Sequence, residues 1–247
     1  MSTIGLYGGG VVFNDVFDAE LDKLERPERP IPKGIVTLSE ASILGIALLI
    51  LGILASFAVS RMSGGIAVVI AIASLVYDKW SKHSAIAGPL NMGLCRGLNL
   101  LLGVSIIHAA LENWWFLAFV PVVYIAAITM ISRGEVHGGD RKIIYTAGIL
   151  YGLVILSIFF FSLKNEGVAN YTIVLLAFFA WMIFTPLIAA IRNPEGSRIK
   201  KAVRAGVISL IIMNSAWALA FNAWPVAIAI LLLLPLSLKL GKLFAVT

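Results

Sequence analysis

Charge is what this sequence has little of. Asp, Glu, Lys and Arg make up 13% of its 247 residues, where a soluble domain carries about 25%. With 60% hydrophobic residues and a mean hydropathy of +0.97, the shortfall excludes a soluble globular fold. The chain reads as a polytopic membrane protein. Cysteine is nearly absent too: Cys95 alone excludes an internal disulfide and any multi-cysteine metal site. No polar linker divides the chain, so a single membrane domain over residues 1–247 is expected. Residues 1–13 lack the charged start and apolar run of a cleavable signal peptide. No acid falls at mid-membrane depth and no inverted repeat is evident, which argues against an ion or solute transporter. The formal net charge of +6 does not point to nucleic acid, because excess Lys and Arg in a membrane protein mark cytoplasmic loops.

What is present is apolar runs. Eight stretches near 41–60, 64–80, 89–107, 113–132, 143–163, 171–191, 203–221 and 225–243 have the length and character of spans. Short connections make neighbours antiparallel, so an all-α transmembrane bundle is expected. Assigning the loops alternately to two sides puts sixteen of the nineteen basic residues on one side. Arg61 and Lys164 fall on the other side, and Arg96 lies within a span. This is a strong positive-inside signal, and it makes the richer side cytoplasmic. Trp80, Trp114, Trp115 and Trp224 fall near span ends, as aromatic belts do. Met1 to Phe13 is apolar and glycine-rich and reads as the last half of a further span.

The densest charged segment is Asn14 to Gly34, NDVFDAELDKLERPERPIPKG. Asn14, Asp18 and Asp22 recur at i, i+4 and i+8, which on a helix places them on one face with Asp15 beside them. Four oxygen-bearing side chains there suit a hard cation better than lipid. The prolines of RPERPIP end that helix, since each removes a donor and disfavours helix before it.

Three further polar groups belong to the argument. Tyr77-Asp78-Lys79-Trp80-Ser81-Lys82-His83 closes the second full span, and SRGEVHGGDRK, with Glu135, His137, Asp140 and Arg141, follows the fourth. Both lie on the motif side. Asn91, Arg96 and Asn99 lie inside the third span, where an arginine is costly and should face the bundle interior or a wet cavity. Acids from two loops with cations between them suit an organic diphosphate, bound through bridging divalent metal and Lys or Arg. A polyisoprenoid tail would then lie in the apolar bundle, and stabilising the departing diphosphate would leave an allylic cation for an acceptor.

The run from Asn14 to Gly34 resembles the first aspartate-rich motif, NDxxDxxxD followed by RPxRPIPxG, of the UbiA family of intramembrane prenyltransferases. It matches at Asn14, Asp15, Asp18, Asp22, Arg29, Pro30, Pro32 and Gly34. The resemblance implies a UbiA-like helical bundle that transfers a prenyl group from a prenyl diphosphate to a lipophilic acceptor, with Mg²⁺. It implies Asn14, Asp15, Asp18 and Asp22 as metal ligands with Glu135 and Asp140, and Asp18, Asp22, Glu135 and Asp140 as the catalytic acids. Arg29, Lys82, Tyr77, Arg96, Asn99 and Arg141 are the implied substrate contacts. Against the family pattern, the second motif is reduced to Glu135 and Asp140, about 140° apart on a continuous helix. Their convergence requires a bend at Gly138-Gly139. The resemblance also implies that the chain lacks the family's first helix and part of its second. RPERPIP, NMGLCRGLN and SRGEVHGG are most similar to the EboC type, bacterial proteins associated with export of secondary-metabolite precursors. That likeness implies a bacterial inner membrane with the site facing the cytoplasm. It also opens an alternative, a non-catalytic protein that binds an isoprenoid or lipid intermediate and assists export.

Each group has a plainer reading. Glu135 and Asp140 can serve nearby Arg133 and Arg141. Arg96 and Asn99 can be interhelical hydrogen-bond glue, Lys82 a positive-inside residue, and His137 a loop residue rather than a base. His108 and Glu112 lie on the opposite side without partners, Cys95 is small-residue packing, and Phe159-Phe160-Phe161 is a lipid-facing or packing surface.

Overall fold

The computed structural model describes residues 1–136 and 138–243, and among them it contains helices and turns without a strand. Eleven α-helices occur there: α1 (Ser2–Phe17), α2 (Ala19–Glu25), α3 (Leu38–Phe57), α4 (Arg61–Lys79), α5 (Ala87–Val104), α6 (His108–Trp114), α7 (Phe119–Ser132), α8 (Arg141–Ser162), α9 (Glu166–Arg192), α10 (Gly196–Ala220) and α11 (Trp224–Leu243). All eight expected stretches are helical. Among the described residues six segments are long and apolar enough to cross a membrane: α3, α4, His108–Ser132, α8, Gly167–Arg192 and α10. The helix α5, which carries Asn91, Arg96 and Asn99, is not among them, and α11 offers a shorter apolar stretch, Trp224–Leu240. The segment expected as one span at 113–132 is broken instead, into α6, a 3₁₀ turn at Trp115–Ala118 and α7.

The chain forms two compact units, Met1–Ala126 and Ala127–Thr247. In the first, α1 packs against α3 and α4, and α4 against α5. Leu6, Leu49, Ala67, Ile70, Ala71 and Leu102 form its buried core. The α1–α3 crossing depends on missing side chains: a Cβ on Gly5 would stand 2.6 Å from the Leu48 carbonyl, and one on Gly52 would stand 2.9 Å from the Leu6 amide. Such close backbone approach is how helices gain contact where lipid offers no hydrophobic drive. α3 starts with a capping box, in which Thr37 Oγ1 accepts from the Glu40 amide at 3.2 Å and Glu40 accepts from the Thr37 amide at 2.8 Å. The Ser63 and Ser105 hydroxyls meet at 2.7 Å and join α4 to the end of α5. Outward, α3 presents Ile43, Leu44, Leu51 and Leu54, a surface suited to lipid.

In the second unit α10 packs against α8, α9 and α11. Asn165 Nδ2 donates to the Ala220 carbonyl at 2.7 Å and Ser215 Oγ to the Ala227 carbonyl at 2.8 Å, fixing neighbouring helix ends. Of the three successive phenylalanines, Phe161 packs on Trp217 and Phe221, with ring centroids 5.3 and 4.7 Å away, while Phe160 is exposed. That bears out the reading of this run as packing and lipid-facing surface.

Candidate functional site

The first acidic motif does not lie on one unbroken helix. α1 ends at Phe17 and α2 begins at Ala19, with Asp18 between them at φ −90° and ψ 1°. The hydrogen-bond ladder still crosses the joint: the Asp18 amide donates to the Asn14 carbonyl at 3.0 Å, and the Asp22 amide to that of Asp18 at 2.8 Å. The four polar side chains therefore stay together while the axis changes. α2 stops at Glu25, where the prolines begin, and the loop closes on Gly34 at φ +72°. A side chain is strained at that angle, which accounts for glycine at the end of RPIPKG. The turn brings Arg29 back under the helix.

The outcome is an ion-pair cluster. Arg29 Nη1 donates to Asp15 Oδ1 and to Asp22 Oδ2, each at 2.7 Å. Asp22 is 4% exposed, so its charge depends on that guanidinium. Lys82, in the 3₁₀ turn Ser81–His83 after α4, donates to Asp18 Oδ1. Asn14 Nδ2 donates to Asp78 Oδ1 at 3.1 Å. Burial pushes the Asp15 carboxyl above its ordinary range; the Arg29 guanidinium opposes this, and the charges of Asp22 and Asp18 add to it. Tyr77 is half-buried on α4 beside Asp78.

Sequence reasoning quoted Asp78 without selecting it. Asp78 is 5% exposed and reaches α1 across sixty-four residues of sequence. The available signal was an acid at the end of an apolar run with a lysine four residues on. Ser81 and Asn91 were missed in the same way: Asn91 Nδ2 donates to Ser81 Oγ at 3.1 Å and ties α5 to the turn that carries Lys82.

Four carboxylates and one amide face two cations here. The donors are hard oxygens and the formal excess is two negative charges, so the residues fit one divalent cation in chemistry and in charge. Arg29 and Lys82 now hold the carboxylate oxygens, and among the described residues no group of three or more acid, His or Cys side chains has metal-binding geometry.

The second motif, in the second unit, is a loop and not a helix. Gly138 stands at φ +86°, so the bend expected at Gly138-Gly139 is present. The Gly139 amide donates to the Pro194 carbonyl at 3.1 Å. A Cβ on Gly196 would approach the Glu135 carbonyl to 2.4 Å, so this loop lies directly against the start of α10. The Asp140 carboxylate is the N-cap of α8 and accepts from the Lys142 amide at 2.8 Å. Arg141 donates to the Arg192 carbonyl at 3.2 Å, at the end of α9. Glu135 is half-buried, and His137 lies outside the described residues. A cavity of about 380 Å³ lined by Pro186, Ala189, Glu195, Ser197, Arg198 and Lys201 lies near the α9–α10 turn and includes no predicted site residue. His108 and Glu112 were expected to lack partners. They pair with each other at 3.5 Å, one turn apart on α6.

Apolar helices around a buried cluster of acids, Arg and Lys define an integral membrane protein with a charged site at its helix ends. The chain matches the UbiA prenyltransferase family over residues 1–203, and it belongs to that family. It is 35% identical to a digeranylgeranylglyceryl phosphate synthase of Saccharolobus solfataricus over 125 residues, 51% of this chain and 44% of the relative. It is 34% identical to the protein so named in Ignicoccus hospitalis, over 57% of this chain and 48% of the relative. The chain thus spans about half the length of the curated relatives it matches. A solved structure described as giving structural and mechanistic insights into the biosynthesis of digeranylgeranylglyceryl phosphate synthase in membranes shares the fold, with a TM-score of 0.67 and 22% identity. That likeness covers 90% of this chain and 82% of the other.

Proposed function

We propose that this chain is an integral membrane prenyltransferase that moves a prenyl group from a prenyl diphosphate to a lipophilic acceptor, with Mg²⁺. The observation that carries the reading is the cluster in which Arg29 and Lys82 bridge Asp15, Asp22 and Asp18. A diphosphate is the anion for which those two cations can exchange the carboxylates. Arg29 and Lys82 would then donate to its oxygens, with Tyr77 beside them, and the freed Asp15, Asp18 and Asp22, with Asn14 and Asp78, would hold the metal. Glu135 and Asp140 are the proposed acids of the second motif, Asp140 the lesser of the two because it also caps α8, and Arg141 is its proposed cation. Bound Mg²⁺ would supply charge neutralisation for the departing diphosphate.

The transfer balances without a redox partner. The bond from prenyl C1 to the diphosphate oxygen breaks, and its electron pair leaves with diphosphate. The acceptor's lone pair attacks the allylic cation, and the acceptor loses a proton. Arg29 and Lys82 stabilise charge as it develops on the leaving oxygen.

The relatives' name supports a geranylgeranyl donor and a glyceryl phosphate lipid as acceptor. The Lys and Arg skew supports a cytoplasmic mouth. We also propose that residues 1–247 act as one membrane domain. A second reading, the EboC-type export accessory in a bacterial membrane, draws on one observation: Asp140 is engaged as a helix cap. The relatives reported above are archaeal enzymes by name.

The deciding experiment is binding of labelled geranylgeranyl diphosphate to the purified chain, with Mg²⁺ and with chelator, beside Asp18→Asn. Metal-dependent binding that the substitution weakens on the order of 100-fold is expected, since a charged ligand group is lost. Binding indifferent to both metal and substitution sinks the transferase reading.

A further inference from the structure

Arg96 stands near the middle of α5 and is half-buried. Among the described residues it makes no hydrogen bond and no ion pair. No carboxylate is among the groups that act on it electrostatically. Tyr7 on α1 is the titratable group that acts on it electrostatically. One turn along α5, Asn99 Oδ1 accepts from Thr3 Oγ1 at 2.9 Å, so α5 runs beside that stretch of α1. Tyr7 is 74% exposed, so its phenol stands in open space near the guanidinium.

These groups lie in line with the ion-pair cluster. Thr3, Tyr7 and Asn14 fall at i, i+4 and i+11 on one face of α1, and Asp18, at i+15, continues that line at the joint with α2. Tyr7 and Asn14 are seven residues apart, about 10 Å along the axis. A polar track thus runs from the cluster down α1 and ends beside a guanidinium that lacks a counter-ion. A cation held at such depth without a partner is costly, and hydrogen-bond glue would require an acceptor that Arg96 does not have. The missing partner is an anion.

We propose that Arg96, with Asn99, Thr3 and Tyr7 around it, binds the phosphate of the lipid acceptor and so directs the acceptor's nucleophile toward the donor at Arg29 and Lys82. This rests on the prenyltransferase reading. A phosphate monoester suits a guanidinium, which offers a fork of donors. The distance of about 10 Å suits an acceptor whose phosphate and attacking oxygen are a few bonds apart.

The test uses the full chain in lipid nanodiscs and two binding assays. One measures labelled geranylgeranyl diphosphate with Mg²⁺; the other measures labelled geranylgeranylglyceryl phosphate beside its phosphate-free alcohol. The unaltered chain should prefer the phosphate form. Arg96→Gln should weaken that form on the order of 10- to 100-fold, the share of one charge-assisted contact, and leave the alcohol and the donor unchanged. Arg96→Lys should retain part of the preference, because it keeps the charge and loses the fork. If Arg96→Gln fails to fold, Arg96→Lys and the unaltered chain's preference decide. Equal loss of donor and acceptor would assign Arg96 to the diphosphate and overturn the proposal, as would an acceptor affinity indifferent to the substitution. Displacement by inorganic phosphate with no preference between the two lipids would overturn the lipid as its source. Failure of the unaltered chain to bind the donor would sink the transferase reading instead, and the phosphate-against-alcohol comparison would still judge Arg96.

Discussion

Asp18 and Asp140 are both aspartates at helix boundaries, and the protein uses them differently. Asp18 sits at the joint of α1 and α2 with its carboxylate turned to Lys82, among three further acids. Asp140 starts α8, and its Oδ1 accepts from the backbone amide of Lys142. One carboxylate is held by a mobile side chain that an anion can draw away. The other is held by a main-chain group that no ligand can replace. A count of acids does not distinguish them; the identity of each donor does.

The sharpest break of this comparison is a pair of isosteric changes. Asp18→Asn should lower Mg²⁺-dependent prenyl diphosphate binding on the order of 100-fold. Asp140→Asn should change it far less, because asparagine caps a helix nearly as well. Equal losses in a direct binding assay would give the two carboxylates equal shares in the metal site. Next is Arg29→Ala, which strands the buried Asp22 charge and should cost about 3 kcal/mol of stability. Thermal unfolding in detergent reads this, and adding Asp22→Asn should recover most of it. Gly52→Val places a methyl against the α1 backbone and should cost about 2 kcal/mol by the same measurement. The smallest effect is Asp140→Ala. Losing a cap costs about 1 kcal/mol, so a lower melting temperature with donor binding intact marks the structural role.

The apolar runs made most of the fold legible, because a span is a matter of length and composition. The α6–α7 break was not legible: Trp114, Trp115 and Phe116 are as apolar as the helix they interrupt. At the site, the spacing of Asn14, Asp18 and Asp22 announced a shared face, and RPERPIP announced the turn that returns Arg29. Asp78 stayed hidden because its partner Asn14 is distant in sequence. Asp140 was readable in principle, since an aspartate directly before an apolar helical run is a capping signature. His108 and Glu112 show a lapse of another kind: their i, i+4 spacing carried the signal of the pair, yet both were expected to lack partners.

The single guanidinium shared by Asp15 and Asp22 makes the two acids respond as one. Any anion that claims Arg29 releases both carboxylates together, and a divalent cation can then occupy them. On the proposed reading anion and cation would enter by exchange, and the local charge would stay near its resting balance. On that reading the cluster would act as a small ion exchanger, in which loading of one ligand prepares the seat for the other.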